Sequence, residues 1–261
     1  MSKGAYTTRL QAGLGLVAET IQLLEMWQPG QGGPDLLREA LSSGRFPNVT
    51  ARRLTNVVTE GFAPRYLVDD AAPARQLKPL MGNIASADVK QLFCIHTCRA
   101  NRVLGDFIRH VFWARYAAGS PVVSKQDATE FVRRSVSDGL TTTRWSESTI
   151  VRVSSYLLGA CVDFGLLGPM MQQARTIVLF RPSALVVSYL AHDLHFRGMG
   201  DNRVLQHEDW ALFGFDPADV LDELKRFSLR GELIVQAAGS AVRIGWHADS
   251  MKEVTHGFVE G

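Results

Sequence analysis

Arg144-Trp145-Ser146-Glu147-Ser148-Thr149-Ile150-Val151-Arg152-Val153-Ser154-Ser155-Tyr156-Leu157, running on to Asp163-Phe164-Gly165-Leu166-Leu167, is the stretch whose reading decides the fold. At about 100° per residue on a helix, Ile150, Val153, Leu157, Cys161 and Phe164 fall on one stripe that needs a core to cover it. Opposite them, at steps of four, three and four, lie Ser148, Arg152, Ser155 and Gly159. The helix reads as capped, with Ser146 or Ser148 at its N-terminus, and Gly165 closes it.

The outward row suits a nucleic-acid groove. Small side chains let a helix backbone come close to a surface. Hydroxyls donate to phosphates, and a guanidinium forks onto a phosphate or onto guanine O6 and N7. Ser146, Ser148 and Thr149 sit where free backbone N–H groups and the helix dipole favour an anion. Arg144 stands just before the helix, and Arg175 stands in the β-prone segment after it. The competing reading is an ordinary amphipathic helix with a serine-rich outer face.

The neighbours decide between the two readings. Upstream, Gly119-Ser120-Pro121 leads to a short β-prone piece, Val122-Val123. Ser124 then caps a helix with Asp127 as the third residue of a capping box, and Asp138-Gly139 ends it. Downstream come a loop at Gly168-Pro169 and a β-rich run over 175–180. Helix, strand, helix, helix, hairpin is the order of a winged helix, here spanning residues 100–182, with the quoted stretch as the groove-entering third helix. One feature is irregular: the connection from Gly139 to Trp145 exceeds the usual three to four residues of a helix-turn-helix.

Residues 1–99 read as a helical domain. One helix covers residues 10–27 and stops at the Pro29–Pro34 run, a short one covers 35–41, and Thr50 caps another reaching Glu60. Arg52 and Arg53 lie in that last helix's first turn, where the dipole disfavours cations unless an external anion is present. A long helix is expected from Ser86 to about Tyr116, with Arg99, Arg102, Asp106 and Arg109 on one face as a basic ridge. Residues 183–261 read as a third unit: a helix from Pro182 to about Arg197, a short helix near 208–212, and an Asp216-capped helix to about Leu229. A hairpin, 232–236 with 241–246, closes the unit. Its third helix is acidic, so it is expected to be structural or protein-binding. The fold class is thus mainly α with short β-hairpins, a helical N-terminal part followed by winged-helix-like parts.

Composition limits the function. The 261 residues are 46% apolar and 21% charged, with a net charge of +2, as expected of a globular protein. Residues 1–180 hold 20 Lys and Arg against 14 Asp and Glu, while the rest hold 8 against 12, which places anion binding towards the front. Three cysteines are too few for a disulfide framework, and no apolar run approaches the roughly 20 residues of a membrane span. A cytoplasmic protein is expected, with no membrane partner.

Cys94-Ile95-His96-Thr97-Cys98 and the histidines of His192-Asp193-Leu194-His195 look like metal clusters, but on a helix His96 points away from the two thiols, and a tetrahedral site needs further ligands. Buried thiols and surface histidines are expected instead. Neither a G-x-S-x-G elbow, an H-E-x-x-H helix nor a phosphate-binding loop is present. No enzyme activity, metal or cofactor is expected.

Several motifs together resemble the BrxA family of the BREX phage-defence systems, whose members were once labelled inner-membrane proteins. They are Tyr6-x3-Leu10-x2-Gly13, Glu19, Leu23-Leu24, Thr50 with Arg52-Arg53, Arg102 with Asp106-Phe107, the segment from Val122 to Phe131, and Trp145-Ser146-x2-Thr149 leading to Asp163-x-Gly165-Leu166-Leu167. The resemblance implies a helical, non-enzymatic, double-stranded-DNA-binding protein that works beside a DNA methyltransferase, an ATPase and a phosphatase-like protein. The DNA-contacting set expected from the residues is Arg52, Arg53, Arg99, Arg102, Arg109, Arg144, Ser146, Ser148, Thr149, Arg152, Ser155 and Arg175. The alternatives are a protein-interaction adaptor built on the acidic C-terminal third, and RNA binding by the basic N-terminal part.

Overall fold

The chain begins by pairing with a segment more than a hundred residues away. In the computed structural model, which describes residues 5–12, 16–178, 181–239 and 241–260, Tyr6 forms a parallel bridge with Thr141. A 3-10 turn, Arg9–Ala12, then leads to α1 (Val17–Met26), α2 (Gly33–Ser42) and α3 (Ala51–Asn56). Thr50 caps α3 as expected, accepting from the Arg53 backbone N–H at 3.3 Å. α3 continues through a π segment, Val57–Phe62, into α4 (Ala63–Tyr66). α5 (Ala72–Leu77), a 3-10 turn Lys78–Leu80 and α6 (Ser86–Ala100) follow.

The long helix expected from Ser86 does not continue to Tyr116. Buried Asn101 leaves the helical region (φ −128°, ψ 81°) and its side chain donates to Thr97 O at 3.1 Å. That local bond competes with helix continuation. α7 (Arg102–Phe107), a second π segment Ile108–Phe112 and α8 (Trp113–Ala117) run on in a new direction. Of the expected ridge, Arg99 and Arg109 are folded inward, while the Arg102 side chain stays 41% exposed.

The middle stretch is β1 (Val122–Ser124), α9 (Lys125–Ser137), α10 (Glu147–Asp163), β2 (Leu167–Met171) and β3 (Ala174–Ile177). The three strands form one antiparallel sheet in the order β1-β3-β2, with Val123 opposite Arg175 and Met171 opposite Ala174. The Ser124–Asp127 capping box is present. Gly168 and Pro169, expected in a loop, lie inside β2 at an irregularity between Leu167 and Met170.

The last third is α11 (Ala184–Phe196), α12 (Asp201–Leu205), a 3-10 segment Glu208–Phe213, α13 (Pro217–Leu229), a hairpin of β4 (Leu233–Ala238) and β5 (Ala241–Trp246), and α14 (Met251–Glu260). α11 begins at Ala184, two residues after the expected start at Pro182, with Ser183 as its cap. α12 protects the free edge of β5: Asn202 Oδ1 accepts from Val242 N–H at 3.1 Å and Asp201 Oδ2 from Ile244 N–H at 2.9 Å, which blunts a pairing-prone edge. α14, not foreseen from the sequence, packs against α5 and the Lys78–Leu80 turn.

One continuous apolar core runs from Tyr6 through Phe93, Phe107, Leu157 and Tyr189 to Met251, so the spans 1–99, 100–182 and 183–261 share their interior. Among the described residues no helix is long and apolar enough to cross a membrane.

Within this core sits a charge network. Arg99 reaches Asp193 Oδ2 through Nη1 and Asp209 Oδ2 through Nε, both at 2.7 Å. Arg109, its side chain 8% exposed, contacts Asp106 Oδ1 at 3.2 Å and Asp209 Oδ1 at 3.3 Å, and donates to the Glu208 carbonyl at 3.0 Å. Tyr6 O–H donates to Asp106 Oδ2 at 2.7 Å. Burial alone would favour neutral arginine, yet Asp193 and Asp209 outweigh it and hold Arg99 above its ordinary value. Gly105 leaves room for this arrangement: a Cβ there would stand 2.9 Å from Arg109 Nη1.

Asp209→Ala leaves both guanidinium groups short of a partner in the interior. The expected loss is about 3–5 kcal/mol, read from urea denaturation; a loss below about 1 kcal/mol, the scale of an exposed pair, would show that the network is not desolvated.

A second prediction concerns acid. His96 is buried on α6, and its Nε2 lies 2.9 Å from the Tyr189 hydroxyl on α11, which itself donates to Gln76 Oε1 at 2.7 Å. The Tyr189 oxygen therefore accepts from His96 Nε2–H. Burial, with Arg99 adding to it, pushes the imidazole down to about 3, so between that value and the unfolded value near 6.5 the unfolded chain binds the extra proton. Stability is full above about pH 6.5 and falls as pH drops through this window. Thermal midpoints at pH 7 and pH 5 should differ more in the parent protein than in His96→Gln; equal differences would remove His96 as the cause.

Candidate nucleic-acid interface

α10 presents two unlike halves. Ser146 caps it, its Oγ accepting from Thr149 N–H at 3.3 Å, and lies 3.0 Å from Ser148 Oγ and 3.1 Å from Thr149 Oγ1. From there the first two turns are open: Ser148, Val151, Arg152 and Ser155 are exposed and Thr149 is half-buried, while Ile150, Val153 and Leu157 are buried as expected. From Leu157 to Cys161 the helix is covered on all sides. Leu158, Gly159 and Ala160 are buried along with Cys161, so Gly159 does not continue the outward row.

The long connection before α10 has a physical cause. Leu140, Thr141 and Trp145 are buried, and Tyr6 pins them through its backbone, donating to Leu140 O at 2.8 Å and accepting from Thr142 N–H at 2.9 Å. The added residues are thus ordered by the N-terminal segment. They shape a concavity of about 630 Å³ whose lining includes Thr142, Thr143, Arg144, Arg133 and Glu147. Arg144 is exposed at its edge. Arg133 on α9 was missed in the sequence; it lies 3.0 Å from Glu147, both side chains largely exposed, and offsets a carboxylate at the start of α10. The signal for it was the pair Arg133-Arg134 directly after the buried Val132.

The structure therefore brings together Arg144, Ser146, Ser148, Thr149, Arg152 and Ser155, and separates the other expected contacts from them. Arg53 lines a concavity of about 450 Å³ with Lys90, Glu19 and Val162, beside the far end of α10, and Arg52 is exposed next to it. Arg99 and Arg109 are committed to buried carboxylates, and Arg102, less buried, lies 3.6 Å from Asp106. This corrects the reading of Arg99 and Arg109 as phosphate contacts, because buried carboxylates already take their charge, while Arg102 keeps an exposed side chain. Arg175 is corrected as well. It sits on the central strand β3, half-buried, with Nη1 donating to Gly168 O at 3.4 Å. The turn at the end of the hairpin carries exposed Met170, Met171, Gln172 and Gln173 instead of a cation.

The groups that resembled metal ligands have other partners. Cys94 and Cys98 are buried with sulfurs 3.9 Å apart, and His96 points to Tyr189. His192 is buried, not a surface histidine; its Nδ1 lies 2.8 Å from Ser188 O and its ring meets Trp246 edge to face. Asp193 is taken by Arg99 and Arg197. Among the described residues no group of three or more His, Cys, Asp or Glu is arranged to hold a metal ion.

No curated protein matches the sequence. The chain is similar in fold to a crystal structure of an uncharacterized protein from Magnetospirillum magneticum, with a TM-score of 0.60 at 15% identity over 80% of this chain and 98% of that one. The family model for BrxA matches residues 4–193. That match takes in most of the chain, α10 and its neighbours included, so the chain belongs to the BrxA family, and as a family member it is a BREX-system component.

Proposed function

We propose that this BrxA protein is a non-enzymatic, double-stranded-DNA-binding component of its BREX system, and that residues from β1 to β3 form a winged helix with α10 as the groove-facing helix. The observation that carries this reading is the exposed first half of α10, with Arg152, Ser148 and Ser155 outward and Arg144 at its approach. The strand order β1-β3-β2 flanking a pair of helices supports it. The contacts offered are hydroxyls, backbone N–H groups and two guanidinium groups, which suit phosphate better than base edges. The family resemblance supplies the setting, beside the methyltransferase, ATPase and phosphatase-like proteins of the system.

In this reading Arg144→Glu with Arg152→Glu weakens duplex binding by at least about tenfold and lowers the salt dependence by close to two phosphates' worth. Fluorescence anisotropy across a salt series measures both. Unchanged affinity in a variant with the parent's thermal midpoint would remove α10 from the interface. A duplex RNA of the same sequence, bound as tightly, would replace DNA with RNA as the ligand.

A second reading rests on α13 and its hairpin. Leu229, the last residue of α13, is 88% exposed and Ile234, on β4, is 52% exposed, in a unit where Asp219 and Asp222 also face solvent. Two large exposed apolar side chains on adjoining elements of this unit are a protein-docking surface in character. Leu229→Glu with Ile234→Glu should abolish co-purification with co-expressed BREX partners while leaving duplex affinity intact. Unaltered co-purification would discard this surface.

A further inference from the structure

A cavity of about 860 Å³ opens between α14 and the Lys78–Leu80 turn. Its size falls within the range of about 300–1,000 Å³ typical of small-molecule sites. The floor is apolar: Trp27, Met81 and Met251 are buried there. The mouth is basic, with Arg75, Lys78, Lys252 and His256 in the lining and no aspartate or glutamate. This is unexpected in the acidic third of the chain, because α14 brings Lys252 and His256 to face cations of the N-terminal body.

The four basic groups are not equally available. Lys78 is fixed, its Nζ donating to the carbonyls of Leu24, Glu25 and Trp27 at 3.2, 2.7 and 2.6 Å and so closing the end of α1. Arg75 pairs with Asp70 at 2.7 Å and His256 with Glu260 at 3.1 Å, but those carboxylates are 92% and 69% exposed and lie outside the cavity. Exposed pairs of this kind contribute little and exchange readily. Lys252 has no ion pair among the described residues and is itself exposed. An anion arriving at the mouth meets one uncommitted ammonium and one weakly held guanidinium.

We propose that this cavity binds a small amphipathic anion, an acyl chain or flat ring bearing one acidic group. The apolar part lies on Pro29, Pro79, Met81 and Met251, backed by buried Trp27, and the acidic head sits at Lys252 and Arg75. A nucleic-acid backbone would use the charge but leave the apolar lining at Pro29, Ala72 and Pro79 facing water. A cationic or neutral amphiphile would use the floor and gain nothing at the mouth. An occupied site would tie α14 to the N-terminal body and so stabilise the closure of the chain's end onto its beginning.

Calorimetric titration of the full chain with dodecanoate and with dodecyltrimethylammonium, both below their micelle concentrations, tests this. Dodecanoate should saturate a single site with a micromolar dissociation constant, and the trimethylammonium compound should bind at least about tenfold more weakly, a difference near 1.4 kcal/mol. Lys252→Glu with Arg75→Glu, both exposed positions, should reverse that preference; Met81→Trp, which takes up part of the floor, should weaken binding of both. Absence of saturable dodecanoate binding, equal affinity for the two head groups, or binding untouched by both variants would overturn the site. Arg144→Glu with Arg152→Glu should leave dodecanoate affinity unchanged, which keeps this result independent of the DNA reading.

Discussion

Asp209 is the constraint on which the rest of the architecture leans. Its carboxylate takes Arg99 on one oxygen and Arg109 on the other, and it comes from the last third of the chain while both arginines come from the helical body before β1. Without it Arg99 would keep only Asp193 and Arg109 only Asp106, each short of one partner in the interior at a cost of several kcal/mol. The interior can therefore hold Arg99 and Arg109 only if the C-terminal third is docked. Asp193 adds a second tie, from α11 to the same Arg99. Burial would raise this carboxyl, but Arg99 holds it below the usual carboxylate range. A network of this kind adds less to stability than an apolar replacement would, but it tolerates only one register of the helices that supply it.

The same network reaches the proposed interface from behind. Asp106, held by Arg109, accepts the Tyr6 hydroxyl, and the Tyr6 backbone brackets Leu140 and Thr142 in the turn before α10. A chain of contacts thus runs from the interior charges to the loop that aims Arg144. This explains why a connection longer than an ordinary helix-turn-helix turn can still hold its shape: its extra residues borrow hydrogen bonds from the N-terminal segment, and Trp145 and Leu140 bury their side chains beneath them. The order is set by a contact more than a hundred residues away in sequence, not by local turn chemistry.

That distance also marks what was legible in the sequence. The caps at Thr50, Ser124 and Asp216, the apolar stripe of α10 and the hairpin around Gly239 all depend on residues within a few positions of one another, and each is found. The break at Asn101 was not legible because the pattern on either side stays helical and only a side-chain bond to Thr97 stops it. The basic ridge failed for a related reason. Periodicity tells which residues share a face, but whether that face meets solvent or Asp193 and Asp209 depends on a segment about a hundred residues on. Gly159 failed likewise, since the outer row of a helix is exposed only as far as nothing covers it.

The halving of α10 has a consequence for recognition. A groove-facing helix with only its first two turns free offers Ser148, Arg152 and Ser155, and Arg144 before them. The hairpin that would flank it ends in Met171, Gln172 and Gln173 while its one arginine is turned back onto Gly168. Duplex affinity grows with the number of phosphates neutralised, each making binding steeper in salt, and here that number is small. A single chain on its own would therefore hold DNA weakly at physiological ionic strength, and base-edge discrimination would fall to one guanidinium. In the proposed reading, useful occupancy comes from linkage: a partner that grips DNA nearby raises the effective concentration of this face, and the exposed Leu229 and Ile234 lie on the part of the chain least committed to DNA. Weak groove contact and a separate protein-docking surface are then two halves of one requirement.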